Sequence, residues 1–175
     1  YTDSYGTYFL SALNFRQHVN ELQMDYEYCA TQQIEEQGVA DRIKLLFLPF
    51  TVAASDTLVA RLEEYVRSGG VLVGDLRCLR TDEHGKPVEG SAHLQGLFGV
   101  TRSGGPVQYG PTQITFSATT DGLDLTGRTA RLSGREPIAA SGAVALASHG
   151  SGEPAVLVQR LGEGATIYLN GSLTA

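Results

Sequence analysis

The chain has 175 residues, of which 42% are hydrophobic and 18% charged, and its formal net charge is −6. The negative charge argues against a nucleic-acid partner, because phosphate binding needs a basic surface. No apolar run approaches the ~20 residues of a membrane span, so no membrane partner is expected. The two cysteines, Cys29 and Cys78, have the spacing of neither a disulfide framework nor a zinc site. We therefore expect free thiols, a cytoplasmic location and no metal or cofactor.

The first 42 residues contain a predicted helix followed by a predicted strand. Apolar side chains recur at helical spacing over residues 5–23, and alternation predicts a strand over 25–31. The polar stretch 32–42 predicts a turn or a short helix. Aromatic side chains are frequent in this region, and they could face a sugar or a partner subunit, or pack in the core: Tyr1, Tyr5, Tyr8, Tyr26 and Tyr28.

A strand, a helix and a second strand form the clearest pattern of the chain. The continuous apolar run 44–50 predicts a strand that is buried on both faces, as in a parallel sheet. Ser55 is a good N-cap for an amphipathic helix over 55–68, and Gly69 suits the left-handed position that ends a helix. A second apolar run covers residues 71–76. Elements in this order predict a crossover unit with two parallel strands.

Turn-forming residues become frequent after residue 76. A short helix is predicted within residues 92–100. Residues 101–142 hold short alternating segments between Gly, Pro, Ser and Thr, which predict an antiparallel excursion from the main sheet. Three closely spaced strands are predicted after this excursion, the last two joined by a tight turn over 161–164: 144–148, 155–160 and 165–170.

The end of the 71–76 strand is the place where an open α/β sheet normally holds its ligand or nucleophile. Cys78 lies just beyond it and is the best candidate nucleophile. His84 or His93 could act as its base, and Arg77 and Arg80 could favour the thiolate. A nucleophile elbow needs small flanking residues, however, and the neighbours of this cysteine are bulky. An inert thiol is therefore the default interpretation.

Carboxylates near the same strand end offer two other interpretations. Asp75, Asp82 and Glu83 could supply a carboxylate pair for glycoside hydrolysis. An ion pair and a solvated turn explain the same three residues more simply. Asp75 and Arg77 could instead bind a small molecule or a sugar in the crevice at the strand end.

Two glycine-rich stretches, 103–105 and 148–152, could cradle a phosphate through backbone N–H groups. Neither follows a strand and opens a helix in the order that such a loop requires. We therefore expect both to be turns. His149, in the second stretch, is expected at the surface.

Six stretches have an order and spacing that together resemble one known family: 44–49 (KLLFLP), 62–73 (LEEYVRSGGVLV), 81–85 (TDEHG), 94–100 (LQGLFGV), 153–156 (EPAV) and 162–170 (GEGATIYLN). They resemble the β-galactosidase trimerisation domain, which is the middle domain of family 42 β-galactosidases. The resemblance covers most of the chain and is weakest over 101–142.

This resemblance implies a fold like that of class I glutamine amidotransferases, a flavodoxin-like, mostly parallel sheet with helices on both faces. It also implies that the catalytic cysteine is missing, because Gly74 and Asp75 stand where the nucleophile would follow the strand. In such glycosidases a separate barrel domain of the same polypeptide performs catalysis. The middle domain assembles subunits and helps to wall the neighbouring active site. The opening strand that the family places before Tyr1 is absent, which suggests a fragment.

We therefore expect residues 1–175 to form one α/β domain of a larger protein, with 101–142 as a β-rich insertion. Its expected function is that of a non-catalytic accessory domain of a β-galactosidase-like glycoside hydrolase, serving oligomerisation and active-site support. The parent protein would be the enzyme, and this domain would have no catalytic residue of its own. Two alternatives stay open: an amidotransferase-like hydrolase that uses Cys78, and a small-molecule or sugar-binding module.

Overall fold

The computed structural model describes residues 3–120 and 122–174, with side chains from residue 9 onward. The described residues form four α-helices: α1 (Asp3–Glu21), α2 (Thr31–Gln37), α3 (Asp56–Arg67) and α4 (Ala92–Phe98), with a 3₁₀ turn at Glu89–Ser91. They also form twelve strands: β1 (Leu45–Leu48), β2 (Val71–Gly74), β3 (Val100–Arg102), β4 (Gln108–Phe116), β5 (Thr119–Thr120), β6 (Leu123–Asp124), β7 (Thr129–Arg135), β8 (Ile138–Ala140), β9 (Val144–His149), β10 (Pro154–Leu161), β11 (Gly164–Leu169) and β12 (Ser172–Leu173).

Eight strands form one mixed sheet in the order β1-β2-β11-β10-β9-β4-β7-β12. The first three strands of this order run parallel to one another. From β11 to β12 every neighbouring pair runs antiparallel. Two small ribbons, β3 with β8 and β5 with β6, lie outside the sheet. The sheet therefore has a parallel end and a longer antiparallel end.

The predicted flavodoxin-like or amidotransferase-like fold, mostly parallel with helices on both faces, is wrong. The described residues form twelve strands and only four α-helices, and parallel pairing is confined to one end of the sheet. Residues 101–142 are not a separate excursion, because their strands β4 and β7 belong to the main sheet. The physical reason is that a parallel pair of strands needs a long crossover connection. The turn between β10 and β11 is too short for one, since Leu161 pairs directly with Gly164, and it can join only antiparallel strands.

The predicted strand–helix–strand unit is confirmed. β1 and β2 pair in parallel register, with Leu45 opposite Val71. The Ser55 hydroxyl caps α3 by accepting a hydrogen bond from the Leu58 N–H at 3.0 Å. Gly69 has a φ of 104° and ends the helix in a conformation that favours glycine. The buried face of α3 is the predicted one: Leu58, Leu62, Tyr65 and Val66.

Two predictions about the first half of the chain are wrong. Residues 24–30 join no sheet, and α2 begins at Thr31 inside the predicted strand. β1 is the edge strand of the sheet, and Leu45 is 43% exposed, so β1 is not buried on both faces. The first 30 residues therefore leave the parallel end of the sheet partly uncovered.

Among the described side chains, two hydrophobic clusters hold the fold together. The larger one packs α3 and α4 on the parallel end of the sheet, and it includes Leu62, Leu72, Leu97, Phe98 and Tyr168. The smaller one lies in the antiparallel half: Ile114, Leu132, Leu146, Ala147, Ala155 and Val156. The turn after β2 lies in the larger cluster, because Cys78 and Leu79 are members of it. The strand end that the sequence marked as a candidate site is therefore part of the core.

The start of β11 packs closely against the end of α3. A Cβ atom on Gly164 would lie 2.2 Å from the carbonyl oxygens of both Gly70 and Val66. We expect Gly164→Ala to lower the free energy of unfolding by about 1–3 kcal/mol, because the backbone must move to accept the methyl group. Urea denaturation measures this. Gly150→Ala is the control, since a Cβ there meets nothing within 4 Å; equal effects of the two substitutions would contradict the prediction.

Candidate functional site

Most side chains of the turn after β2 point into the protein. The Cys78 N–H donates a hydrogen bond to the Asp75 carbonyl at 3.0 Å, and Arg77 and Leu79 adopt φ values of 64° and 55°. Gly74 allows α4 to pack against this point, because a Cβ on Gly74 would lie 2.7 Å from the Phe98 ring. Asp75 and Cys78 are completely buried as a result. The strand end is closed by core packing.

Asp75 connects three parts of the fold. Its carboxylate accepts a hydrogen bond from the Phe50 N–H at 2.5 Å, just after β1. It also accepts one from the Ser11 hydroxyl of α1. Burial raises the pKa of Asp75 to about 7, and these two hydrogen bonds lower it by less. The predicted ligand-binding carboxylate is thus turned toward internal partners.

A second buried carboxylate, Glu136, lies beside the same turn and is 3% exposed. One of its oxygens accepts hydrogen bonds from the Tyr168 hydroxyl at 2.6 Å and from the Arg77 N–H at 3.2 Å. The other accepts from the Arg102 Nε at 3.1 Å, and Arg102 also donates to the Cys78 carbonyl at 2.5 Å. Sequence reasoning missed this cluster. Its partners are 32 to 59 residues away from Glu136 in the chain, so no local motif marks it.

Asn170 extends the cluster toward β9. Its side-chain oxygen accepts from the Glu136 N–H at 2.9 Å, and its side-chain nitrogen donates to the carbonyls of Glu136 and Pro154. His149 Nε2 lies 3.0 Å from the Asn170 carbonyl and therefore carries the proton, while Nδ1 accepts from the Thr112 hydroxyl. His149 is 3% exposed, so its predicted surface position is wrong. Burial lowers the pKa of His149, which favours this neutral form.

Cys78, the candidate nucleophile, is not paired with a base in the described residues. Burial, with a smaller contribution from the nearby Asp75 carboxylate, raises the pKa of the Cys78 thiol well above its ordinary value. His84 lies in an exposed turn, with its Nε2 3.7 Å from a Glu83 oxygen. His93 Nε2 instead lies 2.8 Å from Asp56 at the start of α3. The structure does not bring either candidate base to the thiol, which therefore stays protonated at neutral pH.

This burial predicts a difference between the two thiols. Cys29 is partly exposed and Cys78 is buried, and both are free. We expect a Cys29→Ser variant to react with no equivalent of a thiol reagent such as DTNB in native buffer, and with one equivalent in urea. The absorbance of the released thiolate measures both values. Stoichiometric labelling of the folded variant would contradict the burial of Cys78.

The other predicted groups at the strand end do not converge. Asp82 accepts hydrogen bonds from the N–H groups of His84 and Lys86, which makes it part of a turn rather than half of a carboxylate pair. The Arg77 guanidinium lies over the Phe50 ring at 5.8 Å. A ligand at this strand end would meet Arg77 but not the enclosed Asp75 carboxylate.

Neither glycine-rich stretch opens a helix. Residues 103–105 lie in the connection between β3 and β4. Of the stretch 148–152, the first two residues belong to β9, and only 150–152 form the turn to β10. Among the described residues, no group of three or more metal-binding side chains lies close together. Within residues 3–120 and 122–174, none of the helices is long and apolar enough to cross a membrane.

The predicted aromatic surface of the first 30 residues is described in part. Tyr26 and Tyr28 are exposed by 45% and 76%, and their rings meet edge to face with centroids 5.7 Å apart. The side chains of Tyr1, Tyr5 and Tyr8 lie outside the described residues.

The comparison with protein families assigns most of the chain. The model of the β-galactosidase trimerisation domain matches residues 29–175. The chain belongs to this family. Membership identifies the chain as a non-catalytic accessory type of domain. This agrees with the structure, in which buried side chains fill the end of β2. No curated protein sequence matches the chain.

Solved structures share the fold of this trimerisation domain. A β-galactosidase from Bacillus circulans sp. alkalophilus matches with a TM-score of 0.64 and 20% identity, over 74% of this chain and 20% of that one. A cold-adapted β-galactosidase from Rahnella sp. R3 matches with a TM-score of 0.64 and 22% identity, over 79% of this chain and 23% of that one. The chain thus spans about a fifth of the length of these enzymes.

A third match differs in its coverage. A cytoplasmic protein from Salmonella typhimurium LT2 matches with a TM-score of 0.62 and 12% identity, over 93% of this chain and 76% of that one. At such identities each likeness concerns the fold alone. The same arrangement of strands and helices therefore occurs both within long glycosidase chains and in a chain that is little longer than this one.

Proposed function

We propose that this trimerisation domain joins subunits of a β-galactosidase-like glycoside hydrolase and supports an active site that is formed elsewhere in the polypeptide. The family match over residues 29–175 carries this proposal. The closed end of β2 supports it, because Asp75 and Cys78 are completely buried and engaged with internal neighbours. In this proposal residues 1–175 form one accessory domain of a longer protein, and a catalytic barrel lies in the same polypeptide.

Self-association is the part of the proposal that the isolated chain can test. We expect light scattering coupled to size exclusion to give a mass that is a multiple of 18.7 kDa and that falls on dilution. Subunit interfaces commonly bury apolar side chains, and exposed ones are available on this chain: Phe9, Leu10, Leu22, Met24, Tyr26 and Tyr28. A mass equal to one chain at every concentration would contradict the assembly role.

The non-catalytic part of the proposal has its own test. The isolated chain is expected to hydrolyse no aryl β-galactoside, whereas a longer polypeptide with the catalytic domain does. Turnover by the isolated chain that disappears in a Cys78→Ser variant would contradict the accessory role.

A cytoplasmic location is part of the same proposal. It is supported by the two cysteines, which are both free thiols, as expected in a reducing compartment.

A further inference from the structure

The dipeptide Asn170–Gly171 follows β11 and is the only one in the sequence in which asparagine precedes glycine. Asparagine is chemically labile, and glycine has no side chain to hinder the approach of its own backbone nitrogen to the asparagine side chain. The other two asparagines, Asn14 and Asn20, are followed by phenylalanine and glutamate, whose side chains hinder the same reaction. The chain therefore holds one pair that is prone to deamidation and two internal references.

Deamidation of this pair needs only water from outside the chain. The Gly171 nitrogen loses its proton and attacks the side-chain carbon Cγ of Asn170, forming a C–N bond. The bond from Cγ to the side-chain nitrogen breaks, and ammonia leaves with a proton. Water then opens the resulting succinimide ring at one of its two carbonyl carbons, which gives aspartate or isoaspartate at this position. The uncharged amide of Asn170 is thus replaced by a carboxylate.

The folded chain holds the reacting side chain in place. The Asn170 side-chain nitrogen donates to the carbonyls of Glu136 at 3.0 Å and Pro154 at 2.9 Å, and its side-chain oxygen accepts from the Glu136 N–H at 2.9 Å. The Asn170 N–H donates to the Ala155 carbonyl at 2.8 Å. The residue is completely buried. Its side chain is therefore not free to turn toward the Gly171 nitrogen, and water does not reach it.

Packing requires both members of this labile pair. A Cβ atom on Gly171 would lie 2.7 Å from both the Gly134 carbonyl oxygen and the Leu132 Cβ, so glycine is needed beside β7. The Asn170 amide serves one N–H and two carbonyls at once, which a carboxylate cannot do because it only accepts hydrogen bonds. An isoaspartate would in addition lengthen the backbone between β11 and β12. Neither product of deamidation fits the native packing.

We propose that Asn170–Gly171 is a deamidation site that folding protects and unfolding exposes, so that time spent unfolded makes the loss of the folded state irreversible. The pair reacts in the unfolded or locally opened chain, and the product does not return to the native packing. When the unfolded state is modified faster than it refolds, the lifetime of a protein depends on how often it unfolds.

Peptide mass spectrometry can follow each asparagine separately, because trypsin cleaves after Arg16 and Arg160 and places the three in different peptides. The chain is incubated at pH 8 in native buffer and in guanidinium chloride. In the denaturant we expect Asn170 to deamidate faster than Asn14 and Asn20. In native buffer its rate should fall by about 1,000-fold or more, since folded chains outnumber unfolded ones by at least this factor in typical domains. Equal rates of Asn170 in the two buffers, or a rate in denaturant no higher than those of the references, would overturn the proposal.

Refolding tests the consequence of the modification. Samples incubated in guanidinium chloride for increasing times are diluted into native buffer, and the folded fraction is isolated by size exclusion. This fraction should contain unmodified Asn170, while the modified peptide collects in the material that fails to refold. The same incubation at pH 5 is the control, because fewer backbone amides are deprotonated there and the reaction is slow. Modified peptide in the folded fraction at the same share as in the whole sample would contradict the proposal.

A substitution reproduces one product of the reaction. Asn170→Asp should raise the equilibrium constant of unfolding by about a hundred-fold, because a buried carboxylate is left without compensation and two donated hydrogen bonds are lost. Asn20→Asp, at an exposed position of α1, is the matched control and should change this constant little. An Asn170→Asp chain that fails to fold supports the proposal as well. One that is as stable as the natural chain would overturn it.

Discussion

Replacing Asp75 with asparagine should make the free energy of unfolding less dependent on pH between about 4 and 7. The ordinary pKa of this carboxyl is 3.8, and burial raises it to about 7 in the folded chain. Between these values the folded state binds more protons than the unfolded state does. Stability from this group is therefore complete below about pH 4 and is lost as the pH rises through 7. A shift of this size corresponds to about 4 kcal/mol.

The neutral asparagine avoids the cost of burying a charge. Its side-chain oxygen still accepts from the Phe50 N–H, and its amide can donate to the Ser11 hydroxyl. We expect Asp75→Asn to be as stable as the natural chain or less stable at pH 4, and more stable at pH 8. Urea unfolding followed by circular dichroism across this range gives the difference at each pH.

A matched substitution distinguishes this effect from the loss of any one carboxylate. Asp41 is exposed, so Asp41→Asn should change the free energy of unfolding at pH 8 much less than Asp75→Asn does. The interpretation of Asp75 fails if the free energies of unfolding of Asp75→Asn and of the natural chain differ by a constant amount between pH 4 and 8.

The ion pair of Arg102 and Glu136 should show strong energetic coupling. The two side chains are 13% and 3% exposed, and their charged atoms lie 3.1 Å apart. Glu136→Gln leaves the Arg102 charge buried without its counter-ion, and Arg102→Met leaves the Glu136 carboxylate in the same position. We expect each single substitution to cost about 3–5 kcal/mol, because the remaining charge is desolvated without compensation.

The double variant removes both charges, so it should be less destabilised than the sum of the single variants. We expect a coupling free energy of about 2–3 kcal/mol from guanidinium unfolding of all four proteins at neutral pH. The exposed pair Arg67 and Glu63, with atoms 2.7 Å apart, is the control. Its coupling should stay below about 1 kcal/mol, because water screens it. Additive effects at Arg102 and Glu136 would show that the buried charges do not compensate each other.

The sequence was sufficient where structure depends on neighbours in the chain. The helix α3 is specified by its cap Ser55, its end at Gly69 and its buried face (Leu58, Leu62, Tyr65 and Val66), because all of these lie within 15 residues of sequence. The tight turn at 161–164 is equally local, since Leu161 pairs with Gly164. The order of six short stretches also predicted the family, and the match over residues 29–175 confirms it.

Strand pairing could not be predicted in the same way. Residues 25–31 have the alternation of a strand, yet residues 24–30 join no sheet and α2 begins at Thr31. Conversely, β4 and β7 looked like a separate excursion and instead complete the main sheet. Whether a strand-like segment finds a partner depends on distant parts of the chain.

The candidate site shows the same division. From the sequence alone, the strand over 71–76 was predicted to end without a nucleophile framed by small residues, and the family match supports a non-catalytic accessory type of domain. Only the tertiary structure decided that Asp75 is enclosed by Ser11 and Phe50, and that Glu136 meets Arg102 and Tyr168. These contacts join residues 25 to 64 positions apart. Burial and charge pairing arise only once the chain is folded, so no local pattern encodes them.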